Sequence, residues 1–208
     1  MVTTAESTSA DVVHMPGLLG PEMRARLRDR LGAALSQRPE PLASFGSGTP
    51  SRAAYQLDLE APCLSTLRGL VGAEPVCQMW HRLRGLPIAH DDGRLGDAPP
   101  WGSSDAVAYM RRYSPGCKAN CAPHADDSGY TVNVLLSDPG DFRGGDLVAF
   151  LDGAGAVLAR EAGDGVAHGP NVMHKVDRLV SGERDVLVVM FFKLAEGDRV
   201  AYPERPKS

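Results

Sequence analysis

This sequence of 208 residues has neither a net basic charge nor a long apolar run. Its 22 Lys and Arg face 26 Asp and Glu, for a net charge of −4, so it lacks the basic surface that nucleic acid or an anionic membrane would attract. No apolar run approaches the ~20 residues that a membrane-spanning helix needs. The first residues, 1–10, show no charged-then-apolar secretion signal. We therefore expect a cytoplasmic protein without a nucleic acid or membrane partner.

Cysteine is also rare, with four in the chain. A domain of this size can bury a sufficient core without disulfides, so we expect no disulfide framework. Cys117 and Cys121 precede His124 with Cys-x3-Cys-x2-His spacing, which leaves three interpretations: a zinc site, a redox-sensitive pair or ordinary reduced thiols. We favour ordinary thiols, because no fourth zinc ligand follows at a structural spacing unless Asp126 serves.

Glycine and proline are abundant, with 23 and 16 residues, which favours turns and short strands. Helices are expected in the N-terminal half, where apolar residues every four positions predict an amphipathic helix over 21–36. Leu64 to Val71 suggest a second, short helix, and residues 76–86 resemble a strand or extended segment. Residues 87–104 are rich in Pro, Gly and Asp and predict a long surface loop, in which Trp101 is a candidate substrate lid.

From residue 105 onward, short apolar runs alternate with turn signals, as in an antiparallel sandwich or jelly roll. The runs are 106–113, 130–136, 146–151, 156–160, 164–168, 172–180 and 184–193. The predicted class is α+β and mainly β: a double-stranded β-helix (jelly roll) over 105–195, with N-terminal helices packed on one sheet. We expect a flexible tail over 1–11 and one domain over 12–208, with 12–104 as its support region. The protein is expected to be a monomer or a homodimer.

Three residues in this region have the chemistry of a metal site. His124 and Asp126 are two positions apart, so a strand would turn both side chains to one face. His174 falls in another predicted strand, which a jelly roll can place face to face with the first. Two histidines and one carboxylate on one face of a metal form the facial triad of non-haem iron(II) oxygenases, which leaves positions open for a co-substrate and O2.

Arg184 follows the turn at Ser181-Gly182 and opens the last apolar strand, ten residues after His174. A tight hairpin would place its guanidinium on the same sheet face as His174, deeper than the metal. A buried arginine at that point needs an anion, and a dicarboxylate co-substrate that chelates the iron at its other end would supply one.

The motifs between residues 109 and 192 resemble the 2-oxoglutarate/Fe(II)-dependent dioxygenase superfamily, in its prolyl-4-hydroxylase-like branch. The order and spacing of the motifs carry the resemblance, since each is weak alone. They are Tyr113-Ser114-Pro115-Gly116, His124-Ala125-Asp126, Thr131 with Leu135-Leu136, Phe142-Arg143-Gly144-Gly145-Asp146-Leu147, Gly163-Asp164-Gly165, His174-Lys175-Val176 and Gly182-Glu183-Arg184.

The resemblance implies a cofactor set of Fe(II), 2-oxoglutarate and O2, with ascorbate as a candidate reductant. It implies that the iron ligands, which are also the catalytic residues, are His124, Asp126 and His174. It assigns 2-oxoglutarate binding to Arg184, Tyr113 and Thr131. Two positions depart from the family pattern: Leu135 stands where some relatives have a tyrosine that contacts 2-oxoglutarate, and His168 where an aromatic residue is common.

The implied activity is hydroxylation of an unactivated C–H bond. We expect the substrate to be a small molecule, specifically a small acid or an amino-acid-like compound, because Arg111 should turn inward together with Tyr113 and so needs an anion. An ion pair with Asp105 or Asp127 is the structural alternative for Arg111, while Arg112 should face solvent.

His168 and Trp101 are the other candidate substrate-binding residues. Two alternative functions stay open: hydroxylation of a protein or peptide side chain, and a cupin-type metal-binding jelly roll without 2-oxoglutarate chemistry.

Overall fold

The computed structural model describes residues 11–37, 55–84, 86 and 98–192. Most of the predicted tail, most of the predicted loop over 87–104 and the residues after 192 lie outside these ranges. The described elements are, in chain order, β1 (Val12–Met15), α1 (Pro21–Gln37), β2 (Tyr55–Asp58), α2 (Cys63–Val71), α3 (Ala73–Arg84), β3 (Ala106–Tyr113), β4 (Cys121–His124), β5 (Tyr130–Leu135), β6 (Phe142–Gly144), β7 (Leu147–Leu151), β8 (Ala154–Val157), β9 (Gly165–His168), β10 (His174–Val176), β11 (Leu179–Gly182) and β12 (Arg184–Phe191).

Two antiparallel sheets enclose the interior of the molecule. The larger has the strand order β1-β9-β5-β12-β3-β2 and the smaller β4-β10-β7-β8, while β11 pairs with β6. Side chains alternate between the two faces of the larger sheet: in β12, Val186 and Val188 join the inner cluster, and Leu187 and Val189 join the outer one. The predicted class and the jelly-roll arrangement are confirmed.

The three α-helices cover the outer face of the larger sheet, as predicted. Each of them buries an apolar stripe there, and the largest buried side chains include Leu27 and Leu31 of α1 and Leu64 and Leu67 of α2. The first predicted helix is confirmed and runs to Gln37. In the part of the chain that the structure describes, no helix is both long and apolar enough to cross a membrane.

The expectation of an extended segment over 76–86 is wrong, because α3 occupies most of it. Val76, Met79, Trp80 and Leu83 are all buried, and their spacing is that of one helical face. Pro75 lies in the first turn of α3, where the absence of a backbone N–H costs nothing. The helical spacing of these apolar residues therefore gives a helix here and not a strand.

Several strands differ from their predicted bounds. The run over 172–180 divides into β10 and β11, and the run over 156–160 corresponds to β8, which lies earlier at Ala154–Val157. The short strands β1, β2, β4 and β6 lie outside every predicted run. β1 and β2 form the two edges of the larger sheet, where a strand is paired on one side alone.

Arg112 does not face solvent, contrary to expectation. It lies on the outer face of β3, opposite Asp185 of β12, and donates from Nε to Oδ1 at 2.8 Å and from NH2 to Oδ2 at 2.9 Å. Arg28 of α1 approaches the same carboxylate at 3.4 Å. The Asp185 side chain is fully buried, so its charge depends on these two cations.

We predict that Arg112→Leu lowers the free energy of unfolding by about 3 kcal/mol, because it removes the main partner of a buried carboxylate. Denaturant unfolding measures the change, and Arg143→Leu, at an exposed position of β6, is the control. Equal stability of the two variants would show that the Asp185 pair does not support the fold.

Candidate metal and co-substrate site

His124, Asp126 and His174 converge at the mouth of the interior. His124 ends β4 and His174 begins β10, and the two residues lie opposite each other in the ladder that joins these strands. Asp126 follows the end of β4 by two residues. One ligand atom from each residue lies within 4.8 Å of the others. The two strands are hydrogen-bonded neighbours in one sheet, and do not face each other across the interior as expected.

The tautomers of the two histidines fit a bound cation. The Nδ1 atom of His124 donates to the Ala122 carbonyl at 2.8 Å, and that of His174 donates to the Val172 carbonyl at 3.0 Å. In the neutral rings, each Nε2 therefore carries a lone pair. These atoms lie 3.4 and 3.8 Å from the same oxygen of Asp126. Two nitrogen lone pairs and a carboxylate repel one another unless a cation or a proton lies among them.

Protons compete with a metal for this site. The Asp126 carboxylate raises the pKa of His124 to about 10, whereas burial lowers the pKa of His174 to about 4. A divalent cation must displace the His124 proton, since a metal binds only the neutral imidazole. Two nitrogens and one oxygen form a donor set that suits non-haem iron(II).

Thr131 orients the carboxylate ligand. Its hydroxyl donates to Oδ2 of Asp126 at 2.6 Å, and the Ser128 hydroxyl lies 2.8 Å from the Thr131 hydroxyl. The structure thus places Thr131 at the metal end of the interior, in contact with a candidate ligand. Because this hydrogen bond uses Oδ2 of Asp126, the other oxygen, Oδ1, stays available to a metal. Oδ1 is the oxygen that faces both histidines.

His168 borders the same site from the larger sheet. Its ring centroid is 4.5 Å from that of His174, and its Nε2 is 3.7 Å from Oδ2 of Asp126. Its Nδ1 donates to the Gly169 carbonyl at 3.0 Å, and burial lowers its pKa. The structure brings His168 to the trio, although His168 and His174 belong to different sheets and not to one strand face.

Arg184 lies deeper in the interior than the trio. It is the first residue of β12, opposite Tyr113 in register, and its guanidinium stacks 5.2 Å above the Tyr113 ring. Its side chain enters from the larger sheet, whereas the expected hairpin would have placed it on the same sheet as His174. Gly145 makes room for it, because a Cβ there would lie 3.2 Å from Cδ of Arg184 and 2.9 Å from Leu179.

The Arg184 guanidinium is a cation without an anion. The residue is 1% exposed, and both terminal nitrogens are buried with no hydrogen-bond partner among the residues that the structure describes. Burial lowers its pKa. An unpaired buried cation is costly, so this group fits an anion supplied by a ligand.

Arg111 is held on the inner side of β3 by a neutral partner. Its Nε donates to Oε1 of Gln56 at 3.1 Å, its NH2 donates to the same oxygen, and its guanidinium stacks 4.9 Å from the Tyr109 ring. The side chain that binds it is therefore Gln56, and not Asp105 or Asp127 as in the structural alternative. Gln56 lies on β2, a strand that the sequence did not predict.

Sequence reasoning also missed Arg160 and Asn133, which form a second polar pair in the interior. Arg160 donates from NH1 to Oδ1 of Asn133 at 2.7 Å. Asn133 had a usable signal, since it lies two positions from both Thr131 and Leu135 and shares their face. Arg160 had no such signal: it ends the predicted run over 156–160, but β8 ends at Val157, so strand alternation does not apply to it.

The structure does not bring Trp101 to the trio. Trp101 packs against the helical layer outside the larger sheet, its carbonyl accepts from the Ser65 hydroxyl at 2.7 Å, and the Arg68 guanidinium lies 5.2 Å from its ring. This position does not support a substrate lid.

All four cysteines lie in the described part of the chain, and none of them forms a disulfide. Cys121 lies 3.7 Å from Nδ1 of His124, which is the nitrogen that faces away from Asp126. The ligand atoms that converge with His124 are those of Asp126 and His174, so the described geometry does not favour the zinc interpretation.

We predict that His124→Ala and His174→Ala each abolish Mn(II) binding, because two remaining ligands hold a divalent ion poorly. The loss of the free Mn(II) electron paramagnetic resonance signal on titration measures binding. His81→Ala, at an exposed position of α3, should bind like the wild type. Unchanged binding in either site variant would place the metal elsewhere.

Comparison with known proteins supports the fold. The sequence matches no protein-family model and no curated protein. A prolyl-4-hydroxylase from Pseudomonas putida has a TM-score of 0.59 at 19% identity, and the match covers 89% of this chain and 94% of that one. AviO1 from Streptomyces viridochromogenes Tue57 has a TM-score of 0.55 at 17% identity, over 93% and 92% of the two chains.

A third similar structure is SnoN, a non-haem α-ketoglutarate-dependent epimerase from nogalamycin biosynthesis. It has a TM-score of 0.59 at 16% identity, over 88% of this chain and 79% of that one. This chain therefore has the fold shared by prolyl-4-hydroxylases and other 2-oxoglutarate/Fe(II) oxygenases, as the resemblance of its motifs predicted.

Proposed function

We propose that this protein is a non-haem iron(II) and 2-oxoglutarate-dependent oxygenase. The observation that carries the proposal is the combination of a His-Asp-His trio at the mouth of the interior with an unpaired, fully buried arginine deeper inside. A cupin-type protein that binds metal alone would have no use for such a cation. The fold, which is shared with named oxygenases, supports the same conclusion.

Each end of the site fits one end of the co-substrate. His124, Asp126 and His174 would hold the iron, and Arg184 would pair with the distal carboxylate of 2-oxoglutarate. When bound, iron(II) with 2-oxoglutarate and O2 would supply the oxidising chemistry that converts an unactivated C–H bond to an alcohol, with succinate and CO2 as co-products.

The chain's own residues position and shield these groups. Thr131 fixes the Asp126 carboxylate, so that one oxygen stays directed toward the histidines. Tyr113 is buried against the guanidinium of Arg184 and orients it by stacking. Apolar side chains of both sheets line the rest of the interior and exclude water, which strengthens each electrostatic contact. They include Leu135, Leu147, Val176, Val186 and Val188.

The substrate class that we propose is a small acid or amino acid. Arg111 supports it, because its guanidinium meets the neutral Gln56 and Tyr109, which leave its charge without compensation. A substrate carboxylate would provide that compensation. A peptide side chain is the alternative, since one similar structure is a prolyl hydroxylase in complex with a peptide fragment. The charge of Arg111 favours the small acid.

We predict that Arg184→Leu raises the 2-oxoglutarate KM far more than the substrate KM. The loss of a buried charge-assisted pair should cost about 2–4 kcal/mol, which is tens- to hundreds-fold in affinity. Succinate formation measured against 2-oxoglutarate concentration tests this, with exposed Arg143→Leu as the control. An unchanged 2-oxoglutarate dependence would place the distal carboxylate elsewhere.

We predict that Arg111→Leu weakens substrate kcat/KM by about 2–4 kcal/mol and reduces regioselectivity, because orientation is lost together with affinity. The substrate for this assay is the free amino acid or small acid that most stimulates succinate formation in a screen. Melting temperature and 2-oxoglutarate binding should stay close to wild type. A fall in stability with equal losses for both co-substrates would instead assign Arg111 a structural role.

A further inference from the structure

Arg160 places a third cation over the inner face of the larger sheet, in addition to Arg111 and Arg184. Its NH1 donates to Oδ1 of Asn133 at 2.7 Å and to the Asn133 carbonyl at 3.2 Å. Asn133 lies between Thr131 and Leu135 on the inward face of β5, and it pairs with Val188 of β12. The guanidinium of Arg160 is thus anchored between the metal end of the interior and Leu135.

The charge of Arg160 is not neutralised by its partners. Both of the oxygens that it contacts belong to Asn133 and carry no formal charge. Among nearby acids, Asp164 and Asp146 favour the charged form of Arg160. Asp146 is exposed to solvent, and the Asp164 carboxylate already accepts from the backbone of Gly17 at 2.7 Å and of Glu161 at 2.9 Å. The Asp164 carboxylate is therefore already engaged by backbone N–H groups of the loops around it.

Arg160 and Arg184 share one electrostatic environment. Burial and the neighbouring Arg184 cation lower the pKa of Arg160 to about 9, and Tyr113 interacts with both guanidiniums. Arg184 is fully buried and Arg160 is half-buried. Two neighbouring cations repel each other, and a single anion between them relieves the repulsion. Leu135, the next inward residue after Asn133, offers that anion no hydrogen bond.

From this geometry we infer that Arg160, held by Asn133, is a second co-substrate-binding residue, which shares the distal carboxylate of 2-oxoglutarate with Arg184. The inference rests on the proposed function, because it assigns a residue to the same site. A carboxylate has two oxygens, and with two guanidiniums each oxygen can accept a charge-assisted hydrogen bond. Asn133 is the positioning residue, since its two oxygens fix the direction of the Arg160 guanidinium.

Calorimetric titration of the Mn(II)-loaded protein without O2 tests the inference. The ligands are 2-oxoglutarate and 2-oxopentanoate, which has a methyl group in place of the distal carboxylate. Arg160→Gln should weaken 2-oxoglutarate binding roughly ten- to hundredfold and leave 2-oxopentanoate binding unchanged. Arg143→Gln, at an exposed position, should match the wild type with both ligands. Arg160→Gln and Arg184→Gln should be non-additive in a double-mutant cycle.

Wild-type affinity for 2-oxoglutarate in Arg160→Gln would overturn the inference and leave the proposed function intact. Equal losses for both ligands would also overturn it, because they would assign Arg160 a structural role. Failure of the wild-type, Mn(II)-loaded protein to bind 2-oxoglutarate would instead overturn the proposed function. If Arg160→Gln does not fold, Asn133→Ala provides the same test: it should weaken 2-oxoglutarate binding alone, and unchanged binding would contradict the inference.

Discussion

The unpaired guanidinium of Arg184 is the constraint on which the site depends. A cation this deeply buried costs free energy that the fold does not recover from its own residues, since both terminal nitrogens lack a partner in the described part of the chain. The structure makes space for it with Gly145 and stacks it on Tyr113. Such an arrangement is stable when an anion enters, so the interior is prepared for a charged ligand.

The other charged groups of the interior also favour anionic ligands. The chain carries a net charge of −4, yet its inner face holds the guanidiniums of Arg111, Arg160 and Arg184. Asp126 is the carboxylate that faces the candidate metal, and a divalent cation there would add more positive charge. A dianionic co-substrate and an acidic substrate would together offset most of these charges. The selectivity that we propose therefore follows from electrostatics and does not require a specific contact with the oxidised carbon.

Two acids that could have neutralised these arginines, Asp185 and Asp164, are paired elsewhere. Asp185 is fully buried on the outer face, where it pairs with Arg112 of β3 and approaches Arg28 of α1. Alternation along β12 places Arg184 and Asp185 on opposite faces, so adjacent residues of opposite charge serve separate tasks. Asp185 stabilises the helical layer, and Arg184 faces the interior.

Local spacing was enough to predict much of this arrangement. The strand at 106–113 follows from short-range alternation, and motif order with the resemblance that it carries pointed to His124, Asp126, His174 and Arg184. The pairing of β4 with β10 and the entry of Arg184 from the larger sheet did not follow from the sequence. Pairings between distant segments were not predictable in the same way. Arg112 was expected in solvent because Asp185 lies 73 positions away, and Arg160 was missed because Asn133 lies 27 positions away.

The error at α3 has a different cause, since an apolar run that includes Trp80 can suit either a strand or a helix until its period is counted.

A crystal structure of the protein with Mn(II) and 2-oxoglutarate, solved without O2, tests the central claim most directly. We predict anomalous density for the metal among His124, Asp126 and His174, and a dicarboxylate that extends from the metal to Arg184. Metal density at Cys117 and Cys121, or a dicarboxylate that leaves the Arg184 guanidinium unpaired, would contradict the account.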